Sequence, residues 1–233
     1  MSFFYIMKRY YSDIRTISNP GAGLLVYSLL IFSLFGCDST KSDPTTESNS
    51  PDINNEIIYI QKQIPIRLLT NYNIPLKKLI DSLNMNTSDL HIEVDKSKYK
   101  LTIWSGRSII KQYPVVFGRN PTDDKLRQGD HCTPEGSFKV LMKYKHRIWS
   151  KFIWIDYPNA ESIEKINKAK RAGIIPWDAN PGSEIGIHGV PGNNDNMFDY
   201  RENWTLGCIS LKNNDINEIY EIVKKDTRVI INK

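Results

Sequence analysis

A cysteine and a histidine near the end of the sequence have the types and spacing that nucleophilic catalysis needs. Cys208 follows Gly207, and a glycine at this point lets the backbone turn sharply beside the thiol. Because a free thiol is only a few per cent ionised at neutral pH, it needs a neighbouring base. His188 ends an apolar run, Gly189 follows with a carbonyl that can orient the imidazole, and nineteen residues separate His188 from Cys208. Spacing alone still favours a buried structural cysteine and a core histidine.

Cys132 offers two other arrangements. In an oxidising compartment it could form a disulfide with Cys208, which would silence the nucleophile. With His131, His188 and Cys208 it has the ligand types of a zinc site, but not the ligand spacing typical of one. With only three cysteines and no Cys-x-x-Cys pair, the sequence excludes a disulfide scaffold and a zinc ribbon. We therefore expect Cys132 to be a spare thiol.

The neighbourhood of Cys208 supplies further candidate groups. The consecutive backbone amides of Gly207 and Cys208 could converge on an oxyanion. Trp204, Tyr157 and Arg171 could line a cleft. Aromatic side chains are more often part of the core, however, and arginines are more often solvated.

The elements that must position these residues are mostly short strands. Period-two patterns with turn signals between them predict strands. The predicted strands are His91–Asp95, Lys100–Trp104, Ser108–Phe117, Ser137–Tyr144, Lys151–Ile155, Ser183–Ile187, Cys208–Leu211 and Thr227–Ile231. Two helices are predicted in the main domain, Glu161–Arg171 and Asn213–Lys225, the second with Asn213 as its N-cap. This pattern predicts a mainly β, β-rich α+β fold and excludes alternating βαβ units.

The N-terminal segment has the features of an export signal. Residues 1–22 carry three basic side chains, and residues 23–36 are uncharged and mostly apolar. Fourteen helical residues span about 21 Å, less than the ~30 Å hydrocarbon core, so a secretory signal fits better than a spanning helix. The exit, Leu34-Phe35-Gly36-Cys37, resembles a bacterial lipobox, with Phe35 in place of a small residue. We expect a lipoprotein signal peptide at 1–36 and lipidation of Cys37; an uncleaved membrane anchor is the alternative.

Two short segments separate this signal from the main domain. Residues 37–55 are rich in Ser, Thr, Asn, Asp and Pro, so we expect a disordered tether with a reach of about 20–25 Å. Residues 56–89 form a short preamble with a helix predicted over 74–85. We expect the preamble to pack on the main domain, residues 90–233, and covering part of a cleft is the open alternative.

The composition excludes several other classes of protein. The 233-residue chain is 40% hydrophobic and 24% charged, which fits neither a disordered chain nor a bundle of membrane spans. Its net charge of +5 falls to +3 when residues 1–36, with three basic and one acidic side chain, are removed. Because no segment carries a dense run of Lys and Arg, we expect no nucleic-acid partner.

A family resemblance favours a catalytic role over a structural role for Cys208 and His188. The sequence Ile187-His188-Gly189, followed by Thr205-x-Gly207-Cys208-Ile209, resembles the signature of the L,D-transpeptidase catalytic domain of the YkuD type. Further blocks resemble the same family in the same order. They are Val94-Asp95-Lys96-Ser97 with Leu101-Thr102-Ile103-Trp104, then Tyr113-Pro114-Val115-Val116-Phe117-Gly118, then Gly129-Asp130 with Thr133-Pro134-Glu135-Gly136-Ser137-Phe138. The likeness covers about residues 90–233 and implies a β-sandwich or barrel with a C-terminal helix and a helical insertion.

The resemblance implies a two-step acyl transfer on peptidoglycan stem peptides. Cys208 would attack the carbonyl of the L-centre of a diaminopimelate residue, expel D-alanine and form a thioester. His188 would carry the proton and the Gly189 carbonyl would orient the imidazole. Amides near Leu206 and Gly207 would stabilise the oxyanion. No metal or organic cofactor is needed.

The same resemblance supplies the candidate substrate contacts and leaves the acceptor open. The candidates for substrate binding are Thr205, Trp204, Ser210, Tyr157 and Arg171. Many family members have Arg or Asn where this sequence has Ser210, and its cysteine motif is more similar to a YafK-like murein subgroup, some of which cleave peptidoglycan links. A stem-peptide amine, a lysine of a wall-anchored protein, or water would resolve the thioester.

These observations together predict an L,D-transpeptidase of the cell wall. The alternatives are a thiol hydrolase on the same bonds, either an L,D-carboxypeptidase or an amidase that releases wall-linked protein, and an inactive wall-binding lipoprotein. An export signal fits a substrate outside the cytoplasm. We expect a location in the bacterial cell envelope, periplasmic and anchored to a membrane by the lipid on Cys37.

Overall fold

The computed structural model describes residues 68–199 and 201–233. The predicted signal peptide, the lipidation site Cys37, the tether and the first part of the preamble lie outside the described residues. None of the helices within the described ranges combines the length and the apolar character that crossing a membrane requires.

Eight strands and four helices follow one another along the described chain. In chain order they are α1 (Leu76–Ser82), β1 (Leu90–Asp95), β2 (Lys100–Ser105), β3 (Ser108–Pro114), β4 (Gly136–His146), β5 (Ser150–Ile155), α2 (Ala160–Arg171), β6 (Gly186–His188), α3 (Asn196–Asp199), β7 (Ile209–Ser210), α4 (Asn213–Ile222) and β8 (Arg228–Asn232). Short 3₁₀ turns lie at Thr87–Asp89 and Pro191–Asn193. The predicted mainly β, α+β fold is confirmed.

The period-two patterns produce the expected burial. In β1, Leu90, Ile92 and Val94 are buried, while the residues between them are partly exposed. In β8, Val229 and Ile231 are buried in the same way. Because successive side chains of a strand point to opposite faces, these positions put one face of the sheet into the core.

All eight strands form a single mixed sheet in the order β3-β2-β1-β8-β4-β5-β6-β7. The pairs β1–β8 and β6–β7 are parallel, and the other pairs are antiparallel. After β3 the chain crosses to the opposite edge, where Val116 and Ser210 exchange backbone hydrogen bonds of 3.0 and 2.9 Å. The two ends of the sheet are therefore joined, and the sheet curls into a barrel-like closure.

This crossing explains why one predicted strand is too long. The prediction continued the third strand to Phe117, but β3 ends at Pro114. Val115, Val116 and Phe117 are fully buried, so their apolar run is real. The Val115 amide still donates to the Tyr99 carbonyl beside β2, but Val116 and Phe117 bond to residues in and before β7, which a single-sequence pattern does not reveal.

The C-terminal helix α4 packs its apolar face on the sheet. In α4, Ile216 and Ile219 are fully buried in the main core. This helix ends at Ile222, three residues before the predicted end, because Val223 adopts an extended conformation. The predicted N-cap is also wrong: Lys212 holds that position, and its side chain does not cap the helix.

The described part of the preamble packs on the main domain, as predicted. Leu76, Leu79 and Ile80 of α1 belong to the main core cluster. Thr70 exchanges hydrogen bonds with Gln112 of β3, giving the Thr70 amide to the Gln112 side chain at 3.1 Å and accepting the Gln112 amide at 3.0 Å. Since β3 lies at an edge of the sheet, this segment covers backbone groups that an open edge would leave unpaired.

Candidate active site

Strand pairing brings the predicted nucleophile and base to one face of the sheet. In the parallel pair β6–β7, His188 lies opposite Ser210 and Ile187 lies opposite Ile209. The Leu211 amide closes this ladder by donating to the His188 carbonyl at 2.8 Å. Cys208 directly precedes β7, two residues before Ser210. Because side chains alternate along a strand, Cys208 faces the same side as His188.

A compact turn holds Cys208 in place. Thr205 lies at its start, and its hydroxyl donates to the Cys208 carbonyl at 2.7 Å and accepts the Gly207 amide at 3.2 Å. Gly207 has a φ of 139°, and a Cβ at this position would lie 2.7 Å from the Cys132 carbonyl oxygen. Only glycine fits both the backbone conformation and this close approach. The Thr-x-Gly-Cys motif therefore specifies the backbone turn that holds Cys208.

The Cys208 thiol is protonated at rest. Its side chain is half-buried, and Sγ donates to the Glu184 carbonyl at 3.6 Å. Burial raises the pKa of Cys208 to about 11, although a hydrogen bond from the Gly186 backbone and the charge of Lys125 act in the opposite direction. The thiol therefore needs a base at the moment of attack.

His188 is a buried and neutral imidazole. Its Nδ1 lies 2.7 Å from the Gly189 carbonyl oxygen, which can only accept, so Nδ1 carries the proton and Nε2 has the free lone pair. Burial lowers the pKa of His188 to about 4, even though the Gly189 bond raises it. At neutral pH Nε2 can therefore take a proton.

The carbonyl that orients His188 is itself fixed. The Gly189 amide donates to the Trp149 carbonyl at 3.0 Å, and the Ser210 hydroxyl approaches the Gly189 carbonyl oxygen at 3.5 Å. Asn213 clamps the next residue, accepting the Val190 amide at 3.0 Å and donating to the Val190 carbonyl at 3.1 Å. A Cβ on Gly189 would lie 2.0 Å from Asn213 Oδ1, which explains the glycine.

Aromatic rings enclose the imidazole. Trp149 stacks on His188 with ring centroids 4.5 Å apart, and Phe152 stacks at 5.7 Å. Trp204 meets the ring edge-on at 5.5 Å. The faces of such rings attract a cation, so they favour the imidazolium that forms when His188 takes a proton.

The predicted oxyanion donors lie in the Cys208 turn. The Gly207 amide already donates to the Thr205 hydroxyl, so it must share or release that bond to serve an oxyanion. Leu206, two residues before Cys208, has a side chain that is 38% exposed. Their role in stabilising an oxyanion stays a prediction.

The five candidate substrate contacts lie in different settings. Thr205 and Ser210 are buried and bonded within the framework of the site, whereas Trp204 borders His188. Tyr157 is buried and donates to the Pro181 carbonyl at 3.1 Å, and Arg171 is exposed at the end of α2. Within the described ranges, neither of these two forms a hydrogen bond, ion pair or ring contact with His188 or Cys208.

Several residues of the site were not predicted from the sequence. Asn213 was assigned to a helix cap, and no sequence signal separates that role from the clamp on Val190. Trp149 and Phe152 lie on the β4–β5 hairpin, far from the cysteine motif in sequence. The histidine motif itself gives no sign of its ring partners.

Cys132 is a separate, inert thiol. Both Cys132 and Cys208 are free, so the disulfide alternative is wrong for this structure. The Cys132 thiol donates to the Asp130 carbonyl at 3.3 Å, and burial raises its pKa to about 11. In the described parts of the chain, no group of three or more His, Cys, Asp and Glu side chains could hold a metal ion.

Comparison with known protein families gives a match over most of the described chain. The sequence matches the YkuD family, the L,D-transpeptidase catalytic domain, over residues 89–231. The matched residues make up more than half of the chain. The chain therefore belongs to this family.

Solved structures with a similar fold share little sequence with the chain. Bd1075 from Bdellovibrio bacteriovorus is 22% identical, with 62% of this chain and 48% of that chain covered and a TM-score of 0.44. The helical cell shape determining protein Pgp2 from Campylobacter jejuni is 19% identical, with 68% and 55% covered and a TM-score of 0.47. An L,D-transpeptidase from Mycobacterium smegmatis is 14% identical, with 62% and 59% covered and a TM-score of 0.42. The chain thus covers less than two thirds of each of these chains, and no curated protein matches it.

Proposed function

We propose that the protein is a cysteine-dependent L,D-transpeptidase that acts on peptidoglycan stem peptides through a thioester on Cys208. Family membership supports the class of reaction. The observation that carries the proposal is the 2.7 Å bond from His188 Nδ1 to the Gly189 carbonyl, which leaves Nε2 as a base on the face that Cys208 shares.

The acylation step begins from an uncharged pair. As the Cys208 sulfur attacks the carbonyl carbon, its proton passes to His188 Nε2. The C–N bond of the scissile peptide then breaks, and the imidazolium returns the proton to the leaving amine of D-alanine. The product is a thioester between Cys208 and the acyl part of the stem peptide. Gly189 and the stacked rings stabilise the imidazolium between these two proton transfers.

The second step resolves the thioester and determines the outcome. An amine of another stem peptide, or a lysine of a wall-anchored protein, gives transfer, whereas water gives hydrolysis. His188 Nε2 takes a proton from the attacking amine or water, and the Cys208 sulfur leaves as the thiol. We favour transfer; the YafK-like cysteine motif makes hydrolysis the outcome to be tested against it.

The proposed substrate requires access to the cell wall. We propose that the chain is exported and anchored in the bacterial envelope by a lipid on Cys37. The composition of residues 38–55 predicts a flexible tether of eighteen residues, which would let the catalytic domain reach the wall from a membrane surface.

The test uses the purified full chain with sacculi and with a disaccharide tetrapeptide, followed by mass spectrometry. Cross-linked dimers support transfer, and tripeptide or released protein supports hydrolysis. Cys208→Ala is expected to reduce product formation by about 10³-fold or more, since it removes the group that forms the covalent intermediate. Cys132→Ala is the matched control and should keep wild-type activity. Wild-type product formation by Cys208→Ala would overturn the proposal.

A further inference from the structure

Asp130 lies in one of the sequence blocks that resemble the family, yet it has no part in the proposed acyl transfer. Its carboxylate caps three backbone amides. Oδ2 accepts the amides of Leu126 and Arg127 at 2.8 Å each, and Oδ1 accepts the Cys132 amide at 3.1 Å. The carboxylate thereby joins the two ends of a short loop, residues 125–132, which is called the Asp130 loop below.

A buried lysine neutralises this carboxylate. The Lys125 ammonium donates to Asp130 Oδ1 at 2.8 Å and to the Arg127 carbonyl at 3.1 Å. Such a pair contributes little net stability compared with apolar packing, because both ions lose their hydration. A buried polar network in which every group is bonded does, however, restrict the backbone to one conformation. We therefore examine what the fixed loop contacts.

The Asp130 loop contacts the turn that carries Cys208. The Cys132 carbonyl oxygen lies so close to Gly207 that a Cβ on this glycine would be 2.7 Å from it. The same turn is bonded to the crossing segment, residues 115–120, with which Thr205 exchanges backbone hydrogen bonds of 3.2 and 3.1 Å. Two segments that are distant from Cys208 in sequence therefore hold its turn.

These two segments are also joined to each other. The Asn120 amide donates to the His131 carbonyl at 3.1 Å, and the Gly118 amide donates to the Thr133 hydroxyl at 3.2 Å. A Cβ on Gly118 would lie 2.0 Å from the His131 carbonyl oxygen, so the two backbones are in direct contact. Because the contacts are this close, a shift of the Asp130 loop must displace the crossing segment or the turn.

The Asp130 loop also contacts the segment that accepts the thiol proton. The Gln128 amide donates to the Asn180 carbonyl at 2.6 Å, and a Cβ on Gly182 would lie 3.5 Å from the Gln128 Cα. Two residues further along the chain, the Glu184 carbonyl accepts the Cys208 thiol at 3.6 Å. The loop thus contacts both segments that determine where the Cys208 sulfur lies.

We propose that Asp130, together with Lys125, is a positioning residue that fixes the Cys208 sulfur relative to His188 by holding the Asp130 loop in one conformation. This inference rests on the proposed function. Within the described chain, neither Asp130 nor Lys125 bonds to Cys208 or His188, so both act through the backbone of the loop. A displacement of about 1 Å between reacting groups can reduce a rate by about 10²-fold, so a loosened loop should slow the attack.

The test loosens the loop in two ways in the full chain. Asp130→Asn keeps the size of the side chain but leaves only one accepting oxygen. The double variant Lys125→Met, Asp130→Asn also removes the buried ammonium that the single change would leave unpaired, so a folding defect in one is not expected in the other. The matched controls are Glu218→Gln and Lys111→Met, Glu218→Gln, which change a second ion pair with a buried lysine, 2.6 Å long, between β3 and α4.

Thioester formation on Cys208 is measured at varied concentrations of the disaccharide tetrapeptide. Both Asp130 variants should lower kcat about tenfold or more and keep KM within about twofold of wild type, because the peptide still binds and only the alignment of thiol and base is lost. The two Glu218 controls should keep the wild-type kcat. A wild-type kcat in the Asp130 variants, or an equal loss in variants and controls, would overturn the inference.

Hydrogen exchange separates this inference from the proposed function. If the wild-type chain forms no thioester with the peptide, the proposed function fails. Amide exchange of residues 205–208, followed by mass spectrometry, then decides the role of Asp130. Exchange there that is at least about tenfold faster in both Asp130 variants, and at the wild-type rate in both Glu218 controls, supports the positioning role. Wild-type exchange of these residues in the Asp130 variants overturns it.

Discussion

His188 and Cys208 are both held in their uncharged forms. Burial lowers the pKa of His188 to about 4 and raises the pKa of Cys208 to about 11. Over the whole range between these values the pair is thiol and imidazole, and no thiolate–imidazolium ion pair accumulates. In the proposed mechanism, His188 is therefore available as a base at any pH above about 4, and the Cys208 thiol loses its proton only during attack.

This arrangement predicts an unusual pH profile for acylation. Below about pH 4 His188 is protonated and cannot accept the thiol proton, so kcat/KM should rise as the pH increases through about 4 and then stay level to about pH 10. The measurement is the rate of thioester formation on Cys208, followed by intact-protein mass spectrometry with an uncharged acyl donor. A rise in kcat/KM centred near pH 8.5, the pKa of an ordinary thiol, would contradict a neutral resting pair of Cys208 and His188.

The sequence identifies the candidate reactive residues but not the residues that support them. Cys208, His188 and Gly189 lie in short motifs whose spacing is fixed by one turn and one strand end. Asn213 and Trp149 act through contacts with residues far away in the chain. Their types, a polar residue at a helix start and an aromatic in a hairpin, fit ordinary structural roles equally well.

The described part of the preamble, residues 68–89, is an element of the catalytic domain rather than a spacer. Leu76 of α1 is fully buried in the main core, and Lys111 of β3 donates to the Ile74 carbonyl at 2.7 Å. Tyr72 donates to Asp215 at the start of α4 with a distance of 3.0 Å. These contacts join the segment before the first strand to both an edge strand and the C-terminal helix.

Removing the apolar anchor of this element should destabilise the whole domain. Leu76→Ala deletes a fully buried side chain and leaves a cavity, so the free energy of unfolding should fall by about 2–5 kcal/mol. Leu83→Ala, at a side chain that is 59% exposed, is the control and should change it by less than about 0.5 kcal/mol. Urea unfolding followed by tryptophan fluorescence measures both. Equal, small effects would mean that the preamble is not part of the cooperative unit.

Element types were predicted well because they depend on local periodicity, and element ends were predicted less well. The apolar stripe of α4 and the alternation in β1 are visible in the sequence. The end of β3 depends on which partner its last residues choose, and the end of α4 depends on the conformation of Val223. Both are decided by packing against residues that are distant in sequence.

At the scale of the whole molecule, the site lies where the curled sheet closes. Thr205 receives hydrogen bonds from Arg119 and donates to Phe117 through its backbone, so the turn that carries Cys208 is fastened to the segment that crosses from β3. Joining these two edges brings residues together that are nearly ninety positions apart. No local pattern predicts that pairing, although the family resemblance implied a barrel.

Two buried titratable groups give the domain opposite pH dependences. The pKa of His188 is lowered by burial to about 4, so between pH 4 and 6.5 the unfolded state binds one more proton than the folded state, and stability falls as pH falls. The pKa of Asp215 is raised by burial to about 7, so between pH 4 and 7 the folded state binds the extra proton, and stability falls as pH rises. Each slope is about 1.4 kcal/mol per pH unit, and the two cancel over this shared range.

Single variants should reveal each slope. Relative to wild type, the unfolding free energy of Asp215→Asn should rise by about 1.4 kcal/mol per pH unit between pH 4.5 and 6. The variant lacks the carboxyl group whose raised pKa makes the wild-type protein less stable as the pH rises. Relative to wild type, the unfolding free energy of His188→Asn should fall by a similar amount for each pH unit of increase over the same interval. The variant lacks the imidazole whose lowered pKa makes the wild-type protein less stable as the pH falls. Urea unfolding at pH 4.5, 5.25 and 6 measures these differences, with the exposed Asp178→Asn as a control expected to show no trend. Flat differences for both buried positions would show that neither group keeps its shifted pKa in the folded protein, and the neutral pair at the active site would lose its physical basis.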